Sequence, residues 1–146
     1  MPTALRFLSV VALIALPACA ADITTPSGAD LASAVQGSWV AEQAIPGNSL
    51  DFTLRATDTT VTGGGAFAGE AGPAGTVAIT GDATLFTLTL HFSYTATVPA
   101  PATSVARFVG TLDKNDRLVG SMKYGPEAGE PPEYPIVFRR LPQLPH

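Results

Sequence analysis

A chain of 146 residues that is 46% apolar and only 14% charged supports one domain and not two. Eight Lys and Arg against twelve Asp and Glu leave a net charge of −4, which excludes a general nucleic-acid binder, because that task needs a basic face. A single Cys excludes an internal disulfide and any Cys-based zinc site, and the sparse charges carry no coiled-coil heptad.

Residues 1–18 read as an address rather than as structure. Arg6 is the sole charge before Asp22, and Phe7 to Ala18 is a short apolar stretch. A membrane-spanning helix takes about 20 residues, so a positive start followed by this shorter run predicts an export signal. Leu16-Pro17-Ala18-Cys19 then resembles the lipobox of bacterial lipoproteins: Leu16 and Ala18 match its pattern, and Pro17 departs from it. The resemblance implies cleavage before Cys19, a lipid on its thiol and a membrane anchor in the cell envelope. With Ala20 rather than Asp after the Cys, it implies the outer membrane, facing periplasm or surface. Ala18-Cys19-Ala20 also fits ordinary signal cleavage after Ala20, which would leave a soluble secreted or periplasmic chain. Both readings export the protein.

From Ala20 to about Asp30 the chain is rich in Thr, Pro, Gly and Ser and reads as a flexible tether. Asp30 to Gln36 predicts one or two helical turns, capped by Asp30 and stopped by Gly37. The division is therefore a signal over 1–18, a lipidated Cys, tether and short helix over 19–36, and one β domain over 37–146.

From Ser38 onward the pattern is period-two alternation rich in Thr, Val and Phe, which is the signature of strands. The clearest stretch runs from Phe86 through Leu88, Leu90 and Phe92 to Tyr94, with polar residues between. Leu50 to Arg55 repeats it. Further strands are expected near Ser38–Ala44, Thr60–Ala68, Thr76–Gly81, Val105–Leu112, Arg117–Tyr124 and Pro135–Leu141. Alternation with one wet face is antiparallel in character. Short connections at 57–59, 82–83 and 113–116 alternate with longer ones at 45–49, 69–75, 95–104 and 125–133. In an up-and-down meander this puts every tight turn at one end and every long loop at the other. Closure removes both sheet edges, so an antiparallel eight-stranded β-barrel is expected in preference to a sandwich. Glycines within the strands, among them Gly63, Gly65, Gly81, Gly110 and Gly120, fit the bends that closure needs.

Gly37-Ser38-Trp39 resembles the Gly-x-Trp motif of the calycin superfamily, which includes the lipocalins. In lipocalins a basic residue on the last strand packs across that Trp at the closed end. Phe138-Arg139-Arg140 offers this residue here, and alternation puts Arg140 on the inward face with Ile136 and Phe138. The resemblance implies a structural cation–π pair between Trp39 and Arg140. The other lipocalin motifs are not recognisable.

Nothing in the sequence assembles catalytic chemistry. His91 falls between Thr89 and Ser93 on the presumed outer face, without the shielded Ser and carboxylate of a triad. Glu127, Glu130 and Glu133 lie in a Pro-rich stretch without the pattern of a calcium loop, and Gly63-Gly64-Gly65 lacks the Lys of a phosphate loop. No catalytic residue, metal or cofactor is expected. The residues assigned to a ligand pocket are Phe52, Phe67, Phe86, Leu88, Leu90, Tyr94, Phe108, Met122 and Tyr124, with Tyr94 and Tyr124 as polar anchors near the mouth and Ala66 and Ala106 leaving room. Eight strands make an interior that side chains just fill or that takes one small ligand. Two functions follow: an anchored carrier of a small apolar molecule, or a filled barrel that binds another envelope protein, resembling small periplasmic metalloprotease inhibitors without their disulfide.

Overall fold

The computed structural model describes residues 27–42, 48–69, 73–98, 102–125 and 133–142. One short helix, α1 (Gly28–Ala34), precedes eight strands: β1 (Gly37–Ala41), β2 (Asn48–Thr57), β3 (Thr60–Gly69), β4 (Ala74–Ala83), β5 (Leu88–Val98), β6 (Ala102–Leu112), β7 (Arg117–Tyr124) and β8 (Glu133–Arg140). Each strand pairs antiparallel with the next, and β1 pairs with β8, so the sheet closes into an up-and-down barrel. The seam is short, matching Trp39 to Arg140, Val40 to Arg139 and Ala41 to Phe138. Backbone bonds from Glu42 to Val137 and from Leu141 to Ser38, each 2.8 Å, extend it at both ends.

The alternation that defines the strands also defines the core. Inward positions of β2 (Phe52, Leu54), β5 (Leu88, Leu90, Phe92, Tyr94) and β8 (Ile136, Phe138) are buried, while Thr53, Arg55, His91 and Ser93 between them are exposed. Room for so many large side chains comes from inward glycines on neighbouring strands. Gly65 pairs with Phe52, Gly63 with Leu54, Gly81 with Leu90 and Gly120 with Ile136. Gly110 and Gly120 face each other across β6 and β7. The Phe108 ring lies against both, and a Cβ on either would also strike the backbone of the opposite strand. A side chain there and the Phe108 ring are mutually exclusive.

Three local expectations are corrected. The helix begins earlier than Asp30: Ser27 is the N-cap and Asp30 stands at N3, so the two form a capping box. Asp82 and Ala83 are not a turn but the end of β4, where Ala83 is buried. The turn lies at 84–87, closed by Thr84 N donating to Thr87 O at 2.8 Å and Thr87 N to the Thr84 hydroxyl at 3.2 Å. That turn removes Phe86 from the strand and from the core. Ala66, expected inward, points out, because the inner face of β3 belongs to Val61, Gly63, Gly65 and Phe67.

The connections divide as the meander requires. The turns after β2, β4 and β6 lie at one end and the other four connections leave the other. Only two of those four, 42–47 and 125–132, are longer than the turns: β3 to β6 run on through most of the stretches expected as loops at 69–75 and 95–104. The β2–β3 turn holds Asp58 at φ 53°, the left-handed geometry a two-residue hairpin demands. α1 covers the tight-turn end, where Ala32 and Val35 are fully buried in the barrel's own core.

Gly120→Ala should destabilise the barrel by about 1–3 kcal/mol, the usual cost of forcing extra volume into a packed core. Urea unfolding checks this, and an unchanged midpoint would mean that β6 and β7 have room to part.

Candidate functional site

Two clusters concentrate the polar contacts of the interior, one at each end. At the closed end, the Arg140 guanidinium lies over the Trp39 ring, 4.3 Å from its centroid. Its Nε and Nη2 donate to both Asp116 carboxylate oxygens at 2.6 and 2.9 Å. Nη2 also donates to the carbonyl of Ala34 at 2.6 Å, and Nη1 donates to that of Gln36. Between them, Trp39 Nε1 donates to the Val35 carbonyl at 2.9 Å. Three successive carbonyls at the C-terminal end of α1 are thus satisfied by two barrel side chains. A helix end leaves its last carbonyls without intrahelical partners, and their partial negative charge favours a cation.

Asp116 is positioned by its own turn, where it adopts φ 59°. Asp113 starts that turn and accepts from the backbone N–H groups of Asn115 and Arg117 at 2.8 and 2.9 Å, and from the Arg117 guanidinium. Desolvation pulls the Asp113 carboxyl upward, but these donors outweigh it and hold the group below its ordinary value. Asp113 is only part-buried, so the turn's geometry rather than a buried charge is what these bonds secure.

At the open end, Phe67 meets Tyr94 edge to face at 5.2 Å, Tyr94 lies 6.4 Å from Tyr124, and Tyr124 lies 6.3 Å from Tyr134. The Tyr94 hydroxyl is directed at the Met122 sulfur, 3.9 Å away. Burial, then the neighbouring Tyr124, pushes the Tyr94 phenol well above its usual range. Burial raises Tyr124 as well, against the opposing pull of Tyr94. Both phenols are therefore neutral hydrogen-bonding groups near neutral pH. On the rim, Glu133 accepts from the Ser121 hydroxyl, which with Lys123 3.5 Å away holds its carboxyl below the ordinary value.

Between these ends the barrel is occupied by rings. Phe52 packs edge to face on Phe92 at 5.5 Å and on Phe138 at 5.0 Å, and Phe108 packs on Phe138 at 5.5 Å. Of the residues assigned to a pocket, Leu88, Leu90, Phe108 and Met122 are fully buried in this packing, Phe52 and Tyr94 nearly so, and Phe67 and Tyr124 partly. Phe86 is not among them: it is 72% exposed on the β4–β5 turn. An open groove of about 420 Å³ lies on the outer wall, lined by Thr53, Arg55, Thr62, Gly63 and Gly64.

His91 is exposed on the outer face of β5, beside Arg107 of β6. Among the described residues no charged side chain is buried, and no group of three His, Cys, Asp or Glu gathers in a metal-binding arrangement. Cys19, Glu127 and Glu130 lie outside the described residues. Comparison of the chain with protein-family models, curated proteins and solved structures finds no match.

Sequence reasoning brought Trp39 and Arg140 to one end but missed what else Arg140 holds. Asp116 and the α1 carbonyls were not assigned. The capping box at Ser27 and Asp30 was the available signal for the true helix limits.

Trp39→Ala should cost about 3–5 kcal/mol, as truncation of a buried Trp does. Arg140→Ala should cost about 1.5–3 kcal/mol, the worth of hydrogen bonds to a charged group. Denaturant unfolding measures both, and a loss below about 0.5 kcal/mol for Arg140→Ala would mean that water serves the helix carbonyls equally well.

A phenol whose folded value is raised stabilises the fold fully below the unfolded value near ~10 and progressively less above it. Melting temperature should therefore fall between about pH 9 and 11, and fall less steeply in Tyr94→Phe. Parallel curves for the two proteins would remove Tyr94 as the cause.

Proposed function

We propose that this protein is an exported, lipid-anchored, lipocalin-like barrel without catalytic activity, acting by contact with another envelope protein through the end that carries its long connections. The observation that carries the reading is the filled interior. A carrier needs vacant volume at mid-barrel, and there Phe52, Phe92, Phe108 and Phe138 pack ring against ring with Leu88, Leu90 and Met122 buried around them. The residues a ligand would displace are those that hold the strands together.

The remaining parts of the reading have separate support. Leu16 to Cys19 supports the lipid anchor, with the outer membrane as its destination, and the acidic balance speaks against nucleic acid. Gly37 and Trp39 on the first strand, with Arg140 in register and stacked on the Trp, support the calycin likeness. Among the described residues, His91 stands on the outer wall with no buried carboxylate, which favours binding over catalysis. A second reading, a small apolar ligand held at the mouth, is favoured by the half-open tyrosine set of Tyr94, Tyr124 and Tyr134.

Native mass spectrometry of the chain purified from the periplasm without Cys19 should give the bare polypeptide mass, with no uptake of a fluorescent apolar probe. A reproducible extra mass released by organic solvent would overturn the filled-barrel reading and identify the cargo. Labelled palmitate fed to an exporting bacterium should mark the wild-type chain and not Cys19→Ala. An unmarked wild-type chain would mean cleavage after Ala20 and no anchor.

A further inference from the structure

We propose that the Leu85–Phe86 tip of the β4–β5 turn is a membrane contact that seats in the boundary between headgroups and acyl chains of the bilayer to which the protein is tethered. The proposal rests on the reading of Cys19 as the lipid anchor. Phe86 is 72% exposed and Leu85 39%, two adjacent apolar side chains at the summit of one turn. Water charges for that exposure without any return in packing, so a use outside the barrel accounts for it better than the fold does.

Two observations choose a bilayer as the occupant, and the surrounding charge sets the kind of contact. First, the turn is held by its own bonds, Thr84 N to Thr87 O at 2.8 Å and Thr87 N to the Thr84 hydroxyl at 3.2 Å, so it presents the pair instead of folding it back. Second, the anchored end of the chain arrives beside it. Gly28, the first residue of α1, packs against the carbonyl oxygen of Ala83 and the Thr59 methyl group. Cys19 lies eight residues before Ser27, which limits the span between them to about 28 Å. A bilayer holding the lipid is thus within reach of the closed end, while Tyr134, exposed towards the other end, stands most of a strand away. The charge around the tip is mixed: Asp58, Asp82, Asp113 and Asp116 share this end with Lys114, Arg117 and Arg140. Arg117 and Arg140 pair with Asp113 and Asp116, so the contact depends on apolar burial and not on anionic lipid.

The test uses residues 19–146 carrying Phe86→Trp, coupled through the Cys19 thiol to a maleimide-headgroup phospholipid in phosphatidylethanolamine and phosphatidylglycerol vesicles. Acyl chains brominated near the headgroup quench only tryptophans that enter the bilayer, and the buried Trp39 gives a constant background measured on the unsubstituted chain. The introduced tryptophan should lose at least half its emission, and one introduced by Tyr134→Trp should lose none. Quenching should persist when phosphatidylcholine replaces phosphatidylglycerol. Equal emission with and without bromine at position 86, equal quenching at both positions, or quenching that vanishes without the anionic lipid would each overturn the proposal. Because the thiol coupling supplies the tether, this result is independent of lipidation in the cell: an unmarked chain in the palmitate experiment sinks the anchor, and an unquenched tip sinks the membrane contact.

Discussion

The barrel depends on how its first and last strands are joined to the helix that caps them. Arg140 touches everything that meets there: the Trp39 face, the Asp116 carboxylate, and the carbonyls of Ala34 and Gln36. Each of these groups alone would be a cost. The carbonyls would be orphaned at a helix end and the Asp would be one more acid on an acidic surface. One planar, permanently charged fork satisfies all of them at once while its flat face covers an indole, a geometry a lysine cannot reproduce. Since the β1–β8 seam matches only a few residue pairs, a side-chain fastening at its edge has more to do here than in a longer seam.

That fastening also explains why a helix of seven residues is ordered at all. So short a helix is unstable in isolation. Here a capping box from Ser27 and Asp30 serves its start, Trp39 and Arg140 serve its end, and Ala32 and Val35 are fully buried beneath it. The helix returns the favour by covering the barrel at the end where the turns after β2, β4 and β6 lie.

The two ends consequently differ in chemistry. The closed end is charged, held by ion pairs and backbone bonds, and bears an apolar tip at Leu85 and Phe86. The open end is aromatic and phenolic, with Tyr94 and Tyr124 pushed above the usual phenol range by burial, and it carries the other four connections. Packed rings lie between. Such an object has two faces to offer, and α1 lies at only one of them. In the reading proposed here the closed end addresses the membrane and the open end addresses a protein partner.

Much of this was legible in the chain because strands write their inward and outward faces at period two. Phe52, Leu54, Leu88, Leu90 and Phe138 could be assigned to the core from alternation, and alternating loop lengths placed Trp39 and Arg140 at one end. Phe86 was misread for the same reason. Phe86-Thr87-Leu88 alternates whether or not the chain is extended, and what ends β5 at Leu88 is a pair of bonds between Thr84 and Thr87. The sequence by itself determined the strand order and the closed antiparallel barrel, since local alternation and turn chemistry act over a few residues, whereas the seam pair was named through the resemblance carried by Gly37-Ser38-Trp39. Only the tertiary structure decided that the phenylalanine rings pack on one another at mid-barrel, that Phe86 faces outward, and that Arg140 serves carbonyls more than a hundred residues away. Those outcomes depend on volumes and unsatisfied groups that meet only after the barrel has closed.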